Sequence, residues 1–177
     1  MEVFLRCQIP DVPGGLATLA GAIGQVGGDI QAVEVVQAKD LTVIDDLWVQ
    51  TQNLAALLAT IEALPDTRIV HTAPSRGVPG DATARLAMGI DALLSGAMSP
   101  QDGLPTLIGG LLHADSAALL PHTDEPAKRN RKILRLRVDG GLLELRREYR
   151  FLDAEVQRAR QVLVVCERAA AIAVAQS

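Results

Sequence analysis

Aromatic residues are nearly absent from this sequence. Among its 177 residues, the aromatic ones are Phe4, Trp48, Tyr149 and Phe151. The core must therefore be built from Leu, Ile, Val and Ala, and a platform of rings for stacking nucleic-acid bases is excluded. No apolar run approaches the roughly 18 residues that span a bilayer. The first residues also lack a basic head followed by an apolar run, so we expect neither a membrane span nor a secretory signal.

Residues that bind metals or carry out nucleophilic catalysis are also scarce. Two cysteines, Cys7 and Cys166, lie among apolar neighbours, and the three histidines are scattered without metal-ligand spacing. No serine lies in a nucleophile elbow, and the glycine pairs match neither a P-loop nor a dinucleotide fingerprint. These absences predict a protein without a metal, a cofactor or an enzymatic activity. Unpaired buried cysteines favour a reducing, cytoplasmic location.

Charge and composition divide the chain into two parts. Apolar residues make up 49% of the sequence, which excludes global disorder. Residues 1–80 contain nine acidic and four basic side chains, whereas residues 81–177 contain twelve and thirteen. Two prolines and two glycines fall within 74–82, a composition typical of a linker. We therefore predict one domain at 1–73, a linker at 74–82 and a second domain at 83–177.

Hydrophobic periodicity in the first part predicts four strands and two helices. The predicted elements are a strand at Val3–Ile9, a helix from Leu16 to Ile23, strands at Asp29–Gln37 and Val43–Gln50, a helix from Leu54 to Leu64 and a strand at Thr67–Thr72. We expect a hairpin turn at Ala38–Asp40 between the second and third strands. The order βαββαβ predicts an α+β, ferredoxin-like sandwich, with both helices on one face of an antiparallel sheet.

Several motifs in this part resemble an ACT domain. They are Asp11-x-Pro13-Gly14-x-Leu16 after the first strand, Gly27-Gly28-Asp29-Ile30 at the second, Asp46-Leu47 in the third, and Ala63 to Val70 before the last. The resemblance covers residues 1–73. It implies a regulatory module that binds amino acids or related metabolites. It also implies side-by-side pairing of two modules in a homodimer, with ligands at the seam.

The segment between the first strand and the first helix is the candidate ligand site. Backbone N–H groups of Gly14, Gly15 and Leu16 should lie in the first helical turn, where they lack partners and favour a carboxylate. Asp11 could accept from the ammonium group of the same amino acid, or it could merely cap the helix. By the resemblance, the start of the second strand completes the seam. The candidate residues are Asp11, Val12, Pro13, Gly14, Gly15, Leu16, Asp29 and Ile30.

Two residues in the third strand do not fit a simple alternating pattern. Asp45 shares a face with Val43 and Leu47, which should be buried, and a lone buried carboxylate is costly. We therefore expect a strand end or a bulge at Asp45 rather than a functional acid. Trp48 falls on the opposite face, which helices leave open in this fold, so we expect an exposed side chain.

The second part predicts the order ααβββα. Ser99-Pro100 should begin its second helix, although Pro105 could delay the start. Leu112 to Leu119 and the segment Arg147 to Asp153 resemble parts of a shortened GAF domain. Fewer than 100 residues follow the linker, so the walls of an enclosed GAF pocket should be missing. The resemblance therefore implies a packing or dimerisation role, and no ligand residues are carried over.

A basic segment lies within the second part. Residues 128–160 contain eleven basic and five acidic side chains. Arg135, Arg137 and Arg146 should point outward from a hairpin by alternation, which suits an acidic protein partner. Interleaved acids, the lack of aromatic residues and a pI near 5.3 argue against nucleic acid.

The sequence thus favours a non-enzymatic regulatory protein that binds an amino acid at the first turn and at a dimer seam. The alternative is an adaptor whose two modules serve oligomerisation and partner binding.

Overall fold

The computed structural model describes residues 1–77, 79–121 and 130–176. Two compact units divide the chain, Met1–Pro79 and Gly80–Ser177. Both contain helices beside an antiparallel sheet, which confirms the predicted α+β class. The stretch predicted as a linker, 74–82, is partly regular: a strand ends at Pro74, and a helix begins at Pro79.

The first unit has the predicted βαββαβ order. Its elements are β1 (Glu2–Pro10), α1 (Gly15–Gln25), β2 (Asp29–Lys39), β3 (Thr42–Gln50), α2 (Leu54–Glu62) and β4 (Arg68–Pro74). The sheet order is β2-β3-β1-β4, so β1 and β3 are central and β2 and β4 form the edges. Every neighbouring pair is antiparallel.

The core of the first unit is aliphatic, as the composition requires. Its fully buried members are Val3, Leu5, Cys7, Ile9, Leu19, Ile23, Leu47, Val49, Leu57 and Ile61. Odd-numbered residues of β1 and β3 therefore face the helices. Asn53 caps the start of α2, because its Oδ1 accepts from the Ala56 N–H at 3.0 Å.

The β2–β3 hairpin turns at different residues from those predicted. β2 continues to Lys39, and the turn consists of Asp40 and Leu41, with φ of 54° and 60°. Two consecutive positive φ values are typical of the type I′ turn that suits a twisted hairpin. Leu41 adopts this left-handed conformation without the freedom of glycine, and its side chain is 83% exposed.

The opposite sheet face carries a buried ion pair and a buried aromatic pair. Arg6 donates from Nε and Nη2 to the two carboxylate oxygens of Asp46, each at 2.6 Å. The Trp48 and Phe4 rings meet edge-on with centroids 5.3 Å apart. The expectation of an exposed Trp48 is wrong: its exposed fraction is 2%.

The second unit follows the predicted ααβββα order. Its elements are α3 (Pro79–Leu94), α4 (Pro100–Leu111), β5 (Ser116–Leu120), β6 (Ile133–Val138), β7 (Gly141–Arg146) and α5 (Asp153–Gln176). The three strands have the order β5-β7-β6. Pro105 does not delay α4, which begins at Pro100 because Ser99 Oγ accepts from the Asp102 N–H. The GAF resemblance remains a prediction.

A buried arginine ties the segment before α5 to the rest of the second unit. The Arg147 guanidinium pairs with both carboxylate oxygens of Glu155, at 2.9 and 2.5 Å, and also donates to the Leu112 carbonyl. Its carbon centre lies 4.1 Å from the ring centroids of Tyr149 and Phe151. Glu155 is one of the acidic residues interleaved in the basic segment 128–160, and it is buried because it compensates this inward-pointing charge. In the described part of the chain, no helix is long and apolar enough to cross a membrane.

Candidate functional site

The β1–α1 turn, residues 11–16, is built around one glycine in the left-handed conformation. Gly14 precedes α1 with φ 86° and ψ −3°, which are the values of the third residue of a type II turn, after Pro13. A Cβ at Gly15 would lie 2.8 Å from the Pro10 carbonyl oxygen. The Asp11 N–H donates to the Leu41 carbonyl at 2.9 Å, which attaches the β1–α1 turn to the β2–β3 hairpin. The backbone itself therefore requires both glycines, and it favours proline at position 13.

One of the three amides predicted to be free is already used. The Gly15 N–H donates to the Val12 carbonyl at 3.0 Å, closing the type II turn, so the prediction is wrong for Gly15. The Pro13-Gly14 dipeptide is itself the signal for that bond. The N–H groups of Gly14 and Leu16 donate to no other described residue. Two amides therefore remain for an acceptor.

The Asp11 side chain is exposed and does not cap α1. The capping position belongs to Gly14, and no side chain makes a cap hydrogen bond there. The reading of Asp11 as a helix cap is therefore wrong, because the type II turn places Asp11 three residues before the N-cap position. Val12 and Leu16, with 57% and 38% of their surface exposed, also lie in the turn.

Asp29 and Ile30 lie far from this turn within one chain. They begin β2, whereas the β1–α1 turn contacts the hairpin at its end. Eleven residues of β2 separate the two places by roughly 30 Å. Asp29 is exposed and accepts from the Gln31 side chain at 2.7 Å, and Ile30 packs on the core. Antiparallel pairing of two β2 edges would bring the start of one strand beside the end of the other.

Asp45 is a buried carboxylate in the middle of β3. It is 1% exposed and lies opposite Cys7 of β1 in an uninterrupted register. The predicted bulge is present on its other side, where the β2–β3 register shifts between the Val35–Asp45 and Gln37–Ile44 pairs, but it does not turn Asp45 outward. Its Oδ1 is buried and accepts no hydrogen bond from a described residue. Burial raises the pKa of Asp45 to about 6, with further contributions from the charges of Asp46 and Asp11. Alternation along β3 places Asp45 on the inner face, although the energetic cost of burying a lone carboxylate argues against that position.

The remaining reactive groups of the described residues form no catalytic arrangement. No group of three or more His, Cys, Asp or Glu side chains in the described ranges could hold a metal ion. Burial, followed by the charges of Asp45 and Asp46, raises the pKa of the Cys7 thiol to about 12, so Cys7 is not a nucleophile at neutral pH.

The basic segment forms an arginine-rich outer sheet face in the second unit. Arg135 and Arg146 flank Glu144, each bonded to it at 2.6 Å, and Arg137 is exposed nearby in β6. Burial alone would raise the pKa of Glu144, but the hydrogen bonds from both arginines hold it below its ordinary value. The outward orientation predicted for the three arginines is observed. Lys128 and Arg129 lie outside the described residues.

The chain shares a short segment with one known enzyme. No family model matches the chain. NAD-dependent malic enzyme 1 of Bacillus subtilis is 37% identical over 71 residues, which span 38% of this chain and 16% of that enzyme.

Two solved structures share weak similarity with the whole chain. The regulatory subunit of aspartate kinase from Thermus thermophilus, in its ligand-free form, is 10% identical with a TM-score of 0.40, over 95% of this chain and 91% of that one. An unknown protein from Galdieria sulphuraria is 12% identical with a TM-score of 0.38, over 94% and 91%. TM-scores below 0.5 add nothing to the description of the fold.

Proposed function

We propose that the first unit is a regulatory module that binds an amino acid at the β1–α1 turn. The observation that carries this proposal is the pair of unpartnered amides of Gly14 and Leu16 at the start of α1, beside the exposed carboxylate of Asp11. Amides at a helix start favour a carboxylate, and Asp11 favours an ammonium group. An amino acid carries both groups close together.

The ligand site is completed in this proposal by a second copy of the chain. β2 is an edge strand, and edge strands pair readily with other edges. Val33 and Val35 of β2 are 38% and 57% exposed, an apolar surface that pairing would cover. Two β2 strands running antiparallel would bring Asp29 and Ile30 of one copy towards the β1–α1 turn of the other.

The shared segment with malic enzyme supports a module that occurs in different proteins. The matched 71 residues are similar in length to the first unit and amount to 16% of that enzyme. A module that recurs as a small part of a larger enzyme suits a regulatory role, and we propose that this chain itself is non-enzymatic.

A thermal-shift panel of amino acids and purines tests the proposal. A ligand at one hundred times its Kd adds about 2.7 kcal/mol to the free energy of unfolding, which amounts to several degrees. Asp11→Ala should abolish the shift, whereas the control Asp91→Ala, an exposed acid on α3, should preserve it. If no compound raises the melting temperature, the proposal fails.

The arginine-rich outer sheet face favours a second candidate function, an adaptor for an acidic protein. Binding of an acidic polypeptide to the whole chain should then weaken steeply with salt and weaken further in Arg137→Glu, which leaves the two arginines on the buried Glu144 in place. Equal binding by that variant would contradict this function.

A further inference from the structure

The observation that motivates a further inference is the unpaired carboxylate of Asp45. A buried charge requires a partner of opposite sign or a set of hydrogen bonds. The other buried carboxylates of the described chain have one: Asp46 pairs with Arg6, Glu144 with two arginines and Glu155 with Arg147. Asp45 has none, and its Oδ1 is fully buried. The lack of a partner for Asp45 points to a partner group supplied by another molecule.

The position of Asp45 relates it to the β1–α1 turn. On the helix-facing side, Cys7 lies opposite Asp45, and the next inward-facing pair is Ile9 with Val43. Ile9 Cδ1 lies 3.9 Å from the place of a Cβ on Gly15, so this pair lies beneath the start of α1. Asp45 lies two residues beyond Val43 in β3, about 7 Å along the strand from the part of the sheet that the start of α1 covers. The influence of the Asp11 charge on Asp45 agrees with this proximity.

The surroundings of Asp45 hold no built-in cation. Cys7 faces it from β1, and Val35 faces it from β2. α1 carries no charged side chain, and the only one on α2 is the exposed Glu62 at its end. Asp46, its chain neighbour, points to the other sheet face, where it pairs with Arg6. The side chain of Val35 is 57% exposed, so solvent reaches the sheet at the strand next to Asp45.

We propose that Asp45 receives a cationic side chain of the ligand and makes the site selective for a diamino acid. This inference rests on the proposed function, and it adds the ligand's chemical class. The ligand carboxylate binds the amides of Gly14 and Leu16, and its α-ammonium group binds Asp11. A side chain of the length of ornithine or lysine then extends past the first turn of α1 on the side of β2, where Val35 is exposed, and its terminal ammonium pairs with Asp45.

Calorimetric titration of the full chain with matched ligands at pH 7.5 tests the selectivity. L-lysine and L-ornithine carry a terminal ammonium, whereas L-norleucine has a chain of similar length without a charge. A charge-assisted hydrogen bond in a buried site should give the diamino acids a roughly ten- to hundred-fold lower Kd. Asp45→Asn should abolish this preference. Asp40→Asn, which removes an exposed charge from the nearby hairpin turn, should keep it.

The outcomes separate this inference from the proposed function. Equal affinities for lysine and norleucine, or a preference that survives Asp45→Asn, would overturn the inference and leave amino acid binding intact. Absence of binding by every amino acid would overturn both. A preference present at pH 7.5 and lost near pH 5, where Asp45 is protonated, would support the inference by a readout that a purely structural carboxylate does not provide.

Discussion

Single residues of the first unit combine a functional and an energetic role. Asp45 is the main example, because its burial is unfavourable for the folded protein without a ligand. Residues that serve binding often cost stability in this way. Gly14 is another, because the β1–α1 turn needs a backbone conformation that other residues adopt only with strain.

Replacing Asp45 with Asn should stabilise the unliganded protein at neutral pH. The pKa of Asp45 is raised from 3.8 to about 6, so the folded state holds the proton more tightly than the unfolded state does. The stabilisation that the folded state gains from this tighter proton binding is therefore fully present below pH 4 and is lost as the pH rises through 6. At pH 7.5 we expect Asp45→Asn to raise the free energy of unfolding by up to about 3 kcal/mol. Urea unfolding at pH 7.5 and pH 4 measures this; an equal difference at both pH values would contradict it.

Two glycine replacements in the same region should have opposite effects. Gly14→Ala places a side chain at φ 86° and should lower the free energy of unfolding by about 1 to 2 kcal/mol. Gly21→Ala, in the middle of α1 with open space around its Cβ position, should raise it by about 0.5 to 1 kcal/mol. Chemical denaturation of both variants measures the contrast. A stabilising Gly14→Ala would show that the turn does not need a positive φ.

At the scale of elements, the β2–β3 hairpin and the Arg147 network show where local sequence and structure disagree. The hairpin has leucine in a left-handed position, which a two-residue turn normally assigns to glycine or asparagine. The network buries an arginine that the charge pattern alone places on a surface. In both cases the packing of neighbouring elements determines the outcome.

Leu41→Gly should stabilise the first unit by up to about 1 kcal/mol, because it removes the backbone strain at φ 60° and retains the turn. Leu41→Ala keeps the strain and removes only the exposed side chain, so it should change little. Thermal unfolding of both variants distinguishes strain from loss of apolar surface. An equal gain in the two variants would exclude strain as the cause.

Arg147→Met should destabilise the second unit by about 3 to 5 kcal/mol, because Glu155 then remains buried without its partner. The double variant Arg147→Met, Glu155→Met should recover much of this loss, whereas Arg168→Met on the exposed face of α5 should stay within about 0.5 kcal/mol. A double variant as unstable as the single one would show that the hydrogen bonds to backbone carbonyls, rather than the charge pair, hold this segment.

At the scale of the whole molecule, the proposed pairing of two β2 edges makes the protein's assembly testable. Val33→Lys places a charge on the exposed apolar surface of β2 and should shift the chain from dimer to monomer in analytical ultracentrifugation. Val165→Lys introduces the same charge on exposed α5 and should leave the assembly unchanged. A dimer that persists in Val33→Lys would place the interface elsewhere.

Periodicity in the sequence was sufficient to determine the order of the elements in the described part of the chain, the α+β class and the aliphatic core. These features depend on neighbouring residues along the chain, whose spacing repeats with each helix or strand. The Asn53 and Ser99 caps were predictable for the same reason. The Pro-Gly pair also predicted the tight turn after β1.

Tertiary structure alone decided which polar groups are buried and which are satisfied. Asp45 remains in the core because the bulge beside it lies in β2, whereas β3 keeps a regular register with β1. Arg147 and Glu155 are buried because they meet each other and distant carbonyls. The Leu112 carbonyl lies 35 residues before Arg147, so the energy of this network depends on surroundings that no local pattern contains.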